Sequence, residues 1–403
     1  MQSRKGVVVI GQGYVGLPLA LEAAKAGWSV VGLEVDTNRS EKLSKGISTV
    51  ENITDEYLIG MLQGGNYKVS NKYECLSTAE IVVVCVPTPL NENLEPDLSA
   101  IRGVVDEIVS RVQDEVLIIN ESTSYPGTLI QEFQEPILQK RPRSKIKLAV
   151  APERVDPGNT QFNHSNTARI IGGTSELAVQ EASKFYSTFC TNIKICPNPE
   201  IAETAKLLEN SFRLVNIALI NEFATICSKM NIDIWEVIDA ARTKPFGFME
   251  FRPGIGVGGH CIPIDPIYLN WQSKKSGVYS EIIELASQVN SDRTLYFVDK
   301  VSKLLPAGSE VCICGIGYKG GTRDIRESPS IRIIEELRKN GYVVKWFDPI
   351  VESVENEVSV KNITSDLLLI VHPYLSDSQI SDFNGLVLDS TGRYRHLDSV
   401  KQV

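Results

Sequence analysis

Residues Gly6 to Gly16 read GVVVIGQGYVG, and the chain continues LPLALEAAKAG to Gly27. A β-branched run, a turn with three glycines, and apolar residues at helical spacing closed by glycine predict strand, tight turn and helix. A strand apolar on both faces belongs inside a parallel sheet. WSVVGLE, ending at Glu34, supplies a second strand. AEIVVVCVPTP, DEVLIINES and IKLAVAPE, ending at Pro89, Ser122 and Glu153, repeat the pattern with helical stretches between them. Such alternation predicts an α/β fold with a doubly wound parallel sheet.

The glycine turn has the spacing of a dinucleotide fingerprint. Gly11 permits the tight turn, Gly13 the approach of a pyrophosphate, and Gly16 the packing of helix on strand. Backbone N–H groups at the helix start, around Tyr14 and Val15, face the phosphates. Glu34 stands at the end of the second strand, placed to accept the ribose hydroxyls and to repel a 2′-phosphate, so NAD is favoured over NADP. Asp36 is a rival for that role, and a purely structural turn is the bland alternative. Ligands collect at the carboxyl ends of such strands, which brings in Thr88 and Thr123.

Ile201 to Met230 is an apolar-periodic run without glycine or proline, long enough for a helix of about 45 Å. More helix is expected at Ile234–Ala241 and Glu281–Val289. From Glu310 the strand–helix rhythm returns in EVCICGIG, SPSIRIIEELRKNG, YVVKWFDP, DLLLIVHP and LVLDS. The expected organisation is therefore a Rossmann-like domain over 1–195, a helical middle domain over 196–300, and a second, smaller Rossmann-like α/β domain over 301–403. The net charge of −9 disfavours nucleic acid or an anionic membrane as partner. No apolar run approaches a membrane span, and the opening apolar run of five residues is too short for a secretory leader. Eight dispersed cysteines suit reduced thiols and a cytoplasmic setting, and none shows metal-ligand spacing.

A second irregular stretch, PGIGVGGHCIPIDP over Pro253 to Pro266, sets a thiol, Cys261, among glycines, with Asp265 four residues on. Glycines there let a ligand approach, so a nucleophile is one reading and a small packed residue the other. Lys206 and Asn210, one turn apart on the long helix, share a face. Glu153 follows a strand.

GQGYVGLPLA, CVPTP, ESTSYPGT, APER, the AETAKLLENSFRLVNIALINE helix, GGHCIPIDP and GYKGGTRDIRESPS together resemble the nucleotide-sugar 6-dehydrogenases over nearly the whole chain. The resemblance implies two NAD-dependent oxidations at C6 of a UDP-sugar, alcohol to aldehyde to acid, without release of the aldehyde. It makes Cys261 the nucleophile of a thiohemiacetal and thioester, and Lys206 the stabiliser of the oxyanion. Asp265 becomes the proton acceptor, Glu153 the activator of the hydrolytic water, Asn210 an orienting group, and Thr123 a neighbour of the nicotinamide. Lys319 and Arg326 are implied cofactor contacts. Arg154, Gly258, Tyr318 and Arg242 join the implied substrate contacts, with Arg252 competing for the place of Arg242.

Ile262 and Ile264 flank Cys261 and Asp265 where glucose-type members carry an aromatic and a lysine. In this, and in APERVDPGN, ESTSYPGT and TKPFGFMEF, the chain resembles the N-acetylhexosamine branch, the UDP-N-acetylglucosamine members first and the mannosamine epimer second. The same resemblance implies a homodimer or higher homo-oligomer packed on the long helix, and a product destined for capsule, O-antigen or another surface polysaccharide. A two-electron hydroxyacid or sugar-phosphate dehydrogenase, or a non-catalytic UDP-sugar-binding protein, are the alternatives. Neither has use for Cys261.

Overall fold

A computed structural model describes residues 6–51, 53–154, 161–162 and 165–402. The chain divides into two compact units, Met1–Glu209 with Ile267–Gly277, and Asn210–Pro266 with Val278–Val403. In the first unit the apolar runs form β1 (Gly6–Ile10), β2 (Ser29–Leu33), β3 (Tyr67–Ser70), β4 (Ile81–Val84), β5 (Leu117–Asn120), β6 (Lys147–Val150), β7 (Arg169–Gly173) and β8 (Ile193–Ile195). Among the described residues these make one eight-stranded sheet of order β3-β2-β1-β4-β5-β6-β7-β8. The order reverses between β1 and β4, where doubly wound sheets take up ligands.

Pairing is parallel except between β6 and β7, where Ala149 faces Gly173 and Val150 faces Gly172 in antiparallel register. This one step departs from the all-parallel expectation. Val7, Val9, Ile81, Val83, Leu117 and Ile119 point into one core with Leu17, Leu21 and Ala24 of the helix Gly16–Lys25. Burial on both faces is why these strands read as continuous apolar runs rather than alternating ones.

The second unit holds β9 (Glu310–Cys314), β10 (Val343–Phe347), a short hairpin of β11 (Ser353–Val354) and β12 (Glu357–Val358), then β13 (Leu367–Ile370), β14 (Leu386–Asp389) and β15 (Val400–Gln402). Its main sheet, of order β10-β9-β13-β14-β15, is parallel throughout. Cys312 and Cys314 lie on one face of β9 in a buried cluster, where burial pushes both thiols up to about 12. They are packing residues.

The long helix runs Pro199–Met230, beginning in the first unit and continuing into the second. A further helix, Glu281–Leu304, extends well past the expected Val289. The polar run Asn290–Arg293 obscured it in sequence, yet both end residues are buried. Asn290 meets the Asn221 amide at 3.0 Å and the Leu214 carbonyl at 3.2 Å. Arg293 donates to the Gly254 carbonyl at 3.0 Å and to Thr225 Oγ1 at 2.9 Å. Satisfied polar groups of this kind sit inside a helix bundle without the penalty their hydrophilicity suggests.

Candidate active site

The glycine turn is shaped as its spacing requires. Gly11 has φ +87°, and a Cβ there would stand 2.5 Å from the Cys85 carbonyl oxygen. A Cβ on Gly16 would lie 1.9 Å from the Gly11 carbonyl oxygen, so the helix Gly16–Lys25 closes on the strand only with glycine. Gly13 faces open space, and Val15 at the helix start offers no side-chain cap, which leaves the side open to a pyrophosphate. Glu34, almost fully buried, receives the Gln12 N–H at 3.1 Å and the Asp36 N–H at 3.0 Å. Arg39 approaches it at 3.4 Å. Asp36, the rival acid, caps the next helix through the Arg39 N–H at 2.7 Å. Tyr14 hydroxyl donates to Glu51 at 3.0 Å. These residues fit a dinucleotide, whose pyrophosphate would lie over Gly13 and whose ribose would face Glu34.

At the ends of β4 and β5 the polar residues are held firmly. Thr88 is buried, and its carbonyl accepts the Tyr268 hydroxyl at 3.1 Å. Thr123 is half-buried just beyond β5. Beneath it Glu121 is buried against Arg169, at 3.1 Å, and against the Tyr186 hydroxyl. Burial would lower the Arg169 pKa, but the adjoining Glu121 and Tyr186 raise it. Burial, then Glu121, pushes the Tyr186 phenol well up.

Glu153 and Lys206, both buried, stand in the same neighbourhood: their charges act in opposite senses on the Cys85 thiol, which burial first and then Glu121 push well up. Arg169→Ala, leaving the buried Glu121 without its countercharge and with only the Tyr186 hydroxyl, is expected to destabilise the protein by about 3–5 kcal/mol. Urea unfolding of the variant reads this directly, and an unchanged midpoint would show that Tyr186 alone holds the carboxylate.

In the second unit the thiol-bearing loop is wedged against the insert that follows β9. A Cβ on Gly259 (φ +82°) would meet the Tyr318 ring at 2.6 Å, and one on Gly258 the Glu327 carbonyl oxygen at 2.6 Å. Gly259 N–H donates to the Arg326 carbonyl at 3.1 Å, and Gly254 N–H to the Asn221 side chain at 2.9 Å. Glu327 itself is held left-handed at φ +50°, a costly conformation for a residue with a side chain.

Cys261 emerges half-buried from this frame. Its carbonyl accepts the N–H of Asp265 at 2.8 Å, opening the helix Asp265–Lys275. The Asp265 carboxylate, fully buried, accepts the Asn210 amide at 2.6 Å. Asn210, Asp265 and Cys261 are thus linked within one unit. A buried carboxylate one helical turn after a half-buried thiol supplies the two groups that proton transfer and nucleophilic attack need.

Other expected contacts are engaged in pairs within the protein. Arg154 forms a two-pronged pair with Glu209, at 3.0 and 2.5 Å, and donates to the Ala168 carbonyl at 2.7 Å. Arg242 lies exposed between Asp239, at 3.2 Å, and Glu250, at 3.8 Å, while Arg252 pairs with Glu250 at 2.8 Å. Arg326 grips Asp324 at 2.9 and 2.5 Å. The Lys319 carbonyl accepts the Thr322 hydroxyl at 2.9 Å. Residues 155–159 of APERVDPGN lie outside the described residues.

The sequence reading missed a second glycine turn, Gly315-Ile-Gly317, in which Ile316 N–H donates to Asp348 at 3.0 Å and Gly315 N–H to the Phe347 carbonyl at 2.8 Å. It repeats the Gly11–Leu33 and Gln12–Glu34 arrangement of the first unit. The signal was available: an acid closes the strand after a glycine turn in both halves. It also missed Glu203, three residues before Lys206.

The chain matches the models of the UDP-glucose/GDP-mannose dehydrogenase family in its NAD binding domain (residues 5–190), central domain (200–292) and UDP binding domain (312–374). It is 35% identical over 349 residues to a UDP-N-acetyl-D-mannosamine dehydrogenase of Methanocaldococcus jannaschii, covering 85% of this chain and 79% of that protein. It is 34% identical to a UDP-N-acetyl-D-glucosamine 6-dehydrogenase of Pseudomonas aeruginosa, covering 89% of this chain and 86% of the relative. The solved structure of a UDP-D-ManNAc dehydrogenase from Pyrococcus horikoshii superposes with a TM-score of 0.85 at 31% identity, covering 96% of this chain and 95% of that one. With the glycine turn, the cysteine loop and the linking helix all in place, the chain belongs to the UDP-glucose/GDP-mannose dehydrogenase family of NAD-dependent oxidoreductases.

Proposed function

We propose that this dehydrogenase oxidises the C6 hydroxyl of a UDP-N-acetylhexosamine to the uronic acid, with UDP-N-acetylglucosamine as the substrate. The observation that carries the reading is the fully buried Asp265 carboxylate, which accepts the Asn210 amide at 2.6 Å one helical turn after Cys261, whose backbone carbonyl accepts the Asp265 N–H at 2.8 Å. NAD, when bound, takes up the two electrons of each oxidation. Asp265, with Lys206, receives the proton of the C6 hydroxyl. The Cys261 thiolate adds to the aldehyde to give a thiohemiacetal, which is oxidised to a thioester. Water, activated by Glu153, splits the thioester, freeing the acid and the thiol. Lys206 balances the charge of the oxyanions, Asn210 orients the intermediate, and Thr123 stands at the nicotinamide. Lys319 and Arg326 reach the cofactor, and Arg154, Gly258, Tyr318 and Arg242 complete the substrate contacts.

UDP-N-acetylmannosamine is the second reading, favoured by relatives bearing that activity in their names. NADH formed per mole of UDP-N-acetylglucosamine, UDP-N-acetylmannosamine or UDP-glucose, each run to completion, tests both. Two equivalents from one of them, with an acid product, names the sugar, and one equivalent from all three sinks the thioester route.

The working form in this proposal is a homodimer. Leu208, Phe212, Leu219, Phe223, Ile226 and Met230 form an exposed apolar stripe along the long helix, with Leu208 64% and Met230 62% exposed. A stripe of this length is a surface to be covered. Phe223→Arg is expected to shift sedimentation from dimer to monomer, and a wild type that sediments as a monomer would refute the dimer. Among the described residues no helix is long and apolar enough to cross a membrane.

A further inference from the structure

Glu203 lies near the start of the long helix, one turn before Lys206, and only 1% of its surface is exposed. Its carboxylate accepts the backbone N–H of Gly127 at 2.6 Å and that of Leu129 at 2.9 Å. Between them, the Thr128 N–H turns to the Tyr125 carbonyl at 3.0 Å. These groups belong to the turn that leads from Thr123, at the end of β5, into the helical stretch Leu129–Lys140, whose start has no side-chain cap of its own. Gly127 takes φ +102°, and the Thr128 hydroxyl donates to the Tyr125 carbonyl at 2.7 Å, so the turn is tightly specified.

Burial pushes the Glu203 carboxyl up, the Gly127 and Leu129 N–H groups pull it down, and a donor on each oxygen is the arrangement of the ionised form. A carboxyl is an expensive group to bury, and serine or asparagine would cap one N–H at lower cost. What the carboxylate adds is a grip on adjacent N–H groups from another element. Other polar side chains of the helix hold side chains rather than backbone. Glu209 grips Arg154 beside Glu153, and Asn210 grips Asp265 beside the cysteine loop.

We propose that Glu203 is a positioning residue, whose carboxylate ties the 122–129 turn to the helix carrying Lys206 and so sets where Thr123 stands during oxidation. The proposal rests on the roles given above to Thr123 and Lys206. Glu203 touches neither substrate nor cofactor in it.

The test uses the full-length enzyme with Glu203→Gln and Glu203→Ala. Glutamine keeps the shape and one acceptor but turns an amide donor towards an N–H; alanine removes the grip. The expected result is a kcat lower by about 10- to 100-fold for Glu203→Gln and further for Glu203→Ala, as displacement of a reacting group by about 1 Å costs. The Kd for NAD and the KM for the sugar should stay within about threefold, because the Gly11–Gly16 turn and Glu34 are untouched. Amide hydrogen exchange over residues 125–129 should quicken in both variants.

A kcat within about twofold of wild type in both folded variants overturns the proposal. So does a loss that follows the unfolded fraction and vanishes on cooling, which would make Glu203 a stability residue only. Wild type yielding one NADH per sugar would overturn the thioester reading instead. The ratio of variant to wild-type kcat would still decide Glu203, since the first oxidation also takes place beside Thr123.

Discussion

Cys261→Ser is expected to halt acid formation while leaving NAD binding intact. Serine fits the half-buried site beside Gly258 and Gly259, so the loop and its contacts with Tyr318 and Arg326 should survive. A serine hydroxyl at neutral pH is almost wholly protonated, whereas a thiol is a few per cent thiolate or more and far more nucleophilic. Without the thiohemiacetal there is nothing for the second oxidation to act upon. The yield should fall from two NADH per sugar to one or fewer, and acid formation by on the order of 10³-fold or more. Product analysis by mass spectrometry, with the NAD affinity measured alongside, reads both parts. Acid formed by the variant at near wild-type rate would remove the thiol from the chemistry and return the two-electron and binding-protein alternatives to contention.

Asp265→Asn should separate the carboxylate's chemistry from its structural place. The side chain is fully buried and accepts the Asn210 amide, which an asparagine carbonyl can also accept. The backbone bond from residue 265 to the Cys261 carbonyl does not depend on the side chain. The fold should therefore hold, and stability should change little or rise, since a buried carboxylate is replaced by a neutral group. Proton removal from the C6 hydroxyl loses its acceptor, for an expected fall of about 10²- to 10⁴-fold in kcat. Steady-state rates with the thermal midpoint measured in parallel decide it. A variant that folds and turns over as wild type would show that Asp265 serves only to hold Asn210 and the loop.

The parts of the site that could be read from the chain alone are those whose geometry is local. Gly11, Gly13 and Gly16 announce a pyrophosphate turn because backbone sterics over a few residues dictate where a Cβ is forbidden. The glycines around Cys261 mark a loop that a ligand can approach, and the spacing of Lys206 and Asn210 marks one helix face; that Asp265 opens a helix came only with the structure. Resemblance to a family then attached roles to these positions.

The partners of those residues were hidden because they come from far along the chain. Glu203 and Gly127 are 76 residues apart, Arg154 and Glu209 are 55 apart, and Glu121 and Arg169 are 48 apart. A charged side chain in a sequence reads as a solvated one by default, since the energy of burying it turns on whether a partner waits there. Local periodicity and turn chemistry thus determined the strands, most of the helical stretches and the glycine frame of the thiol. Only the tertiary structure decided which charges are buried and what they hold, because a hydrogen bond between distant segments exists only once the core has brought them together.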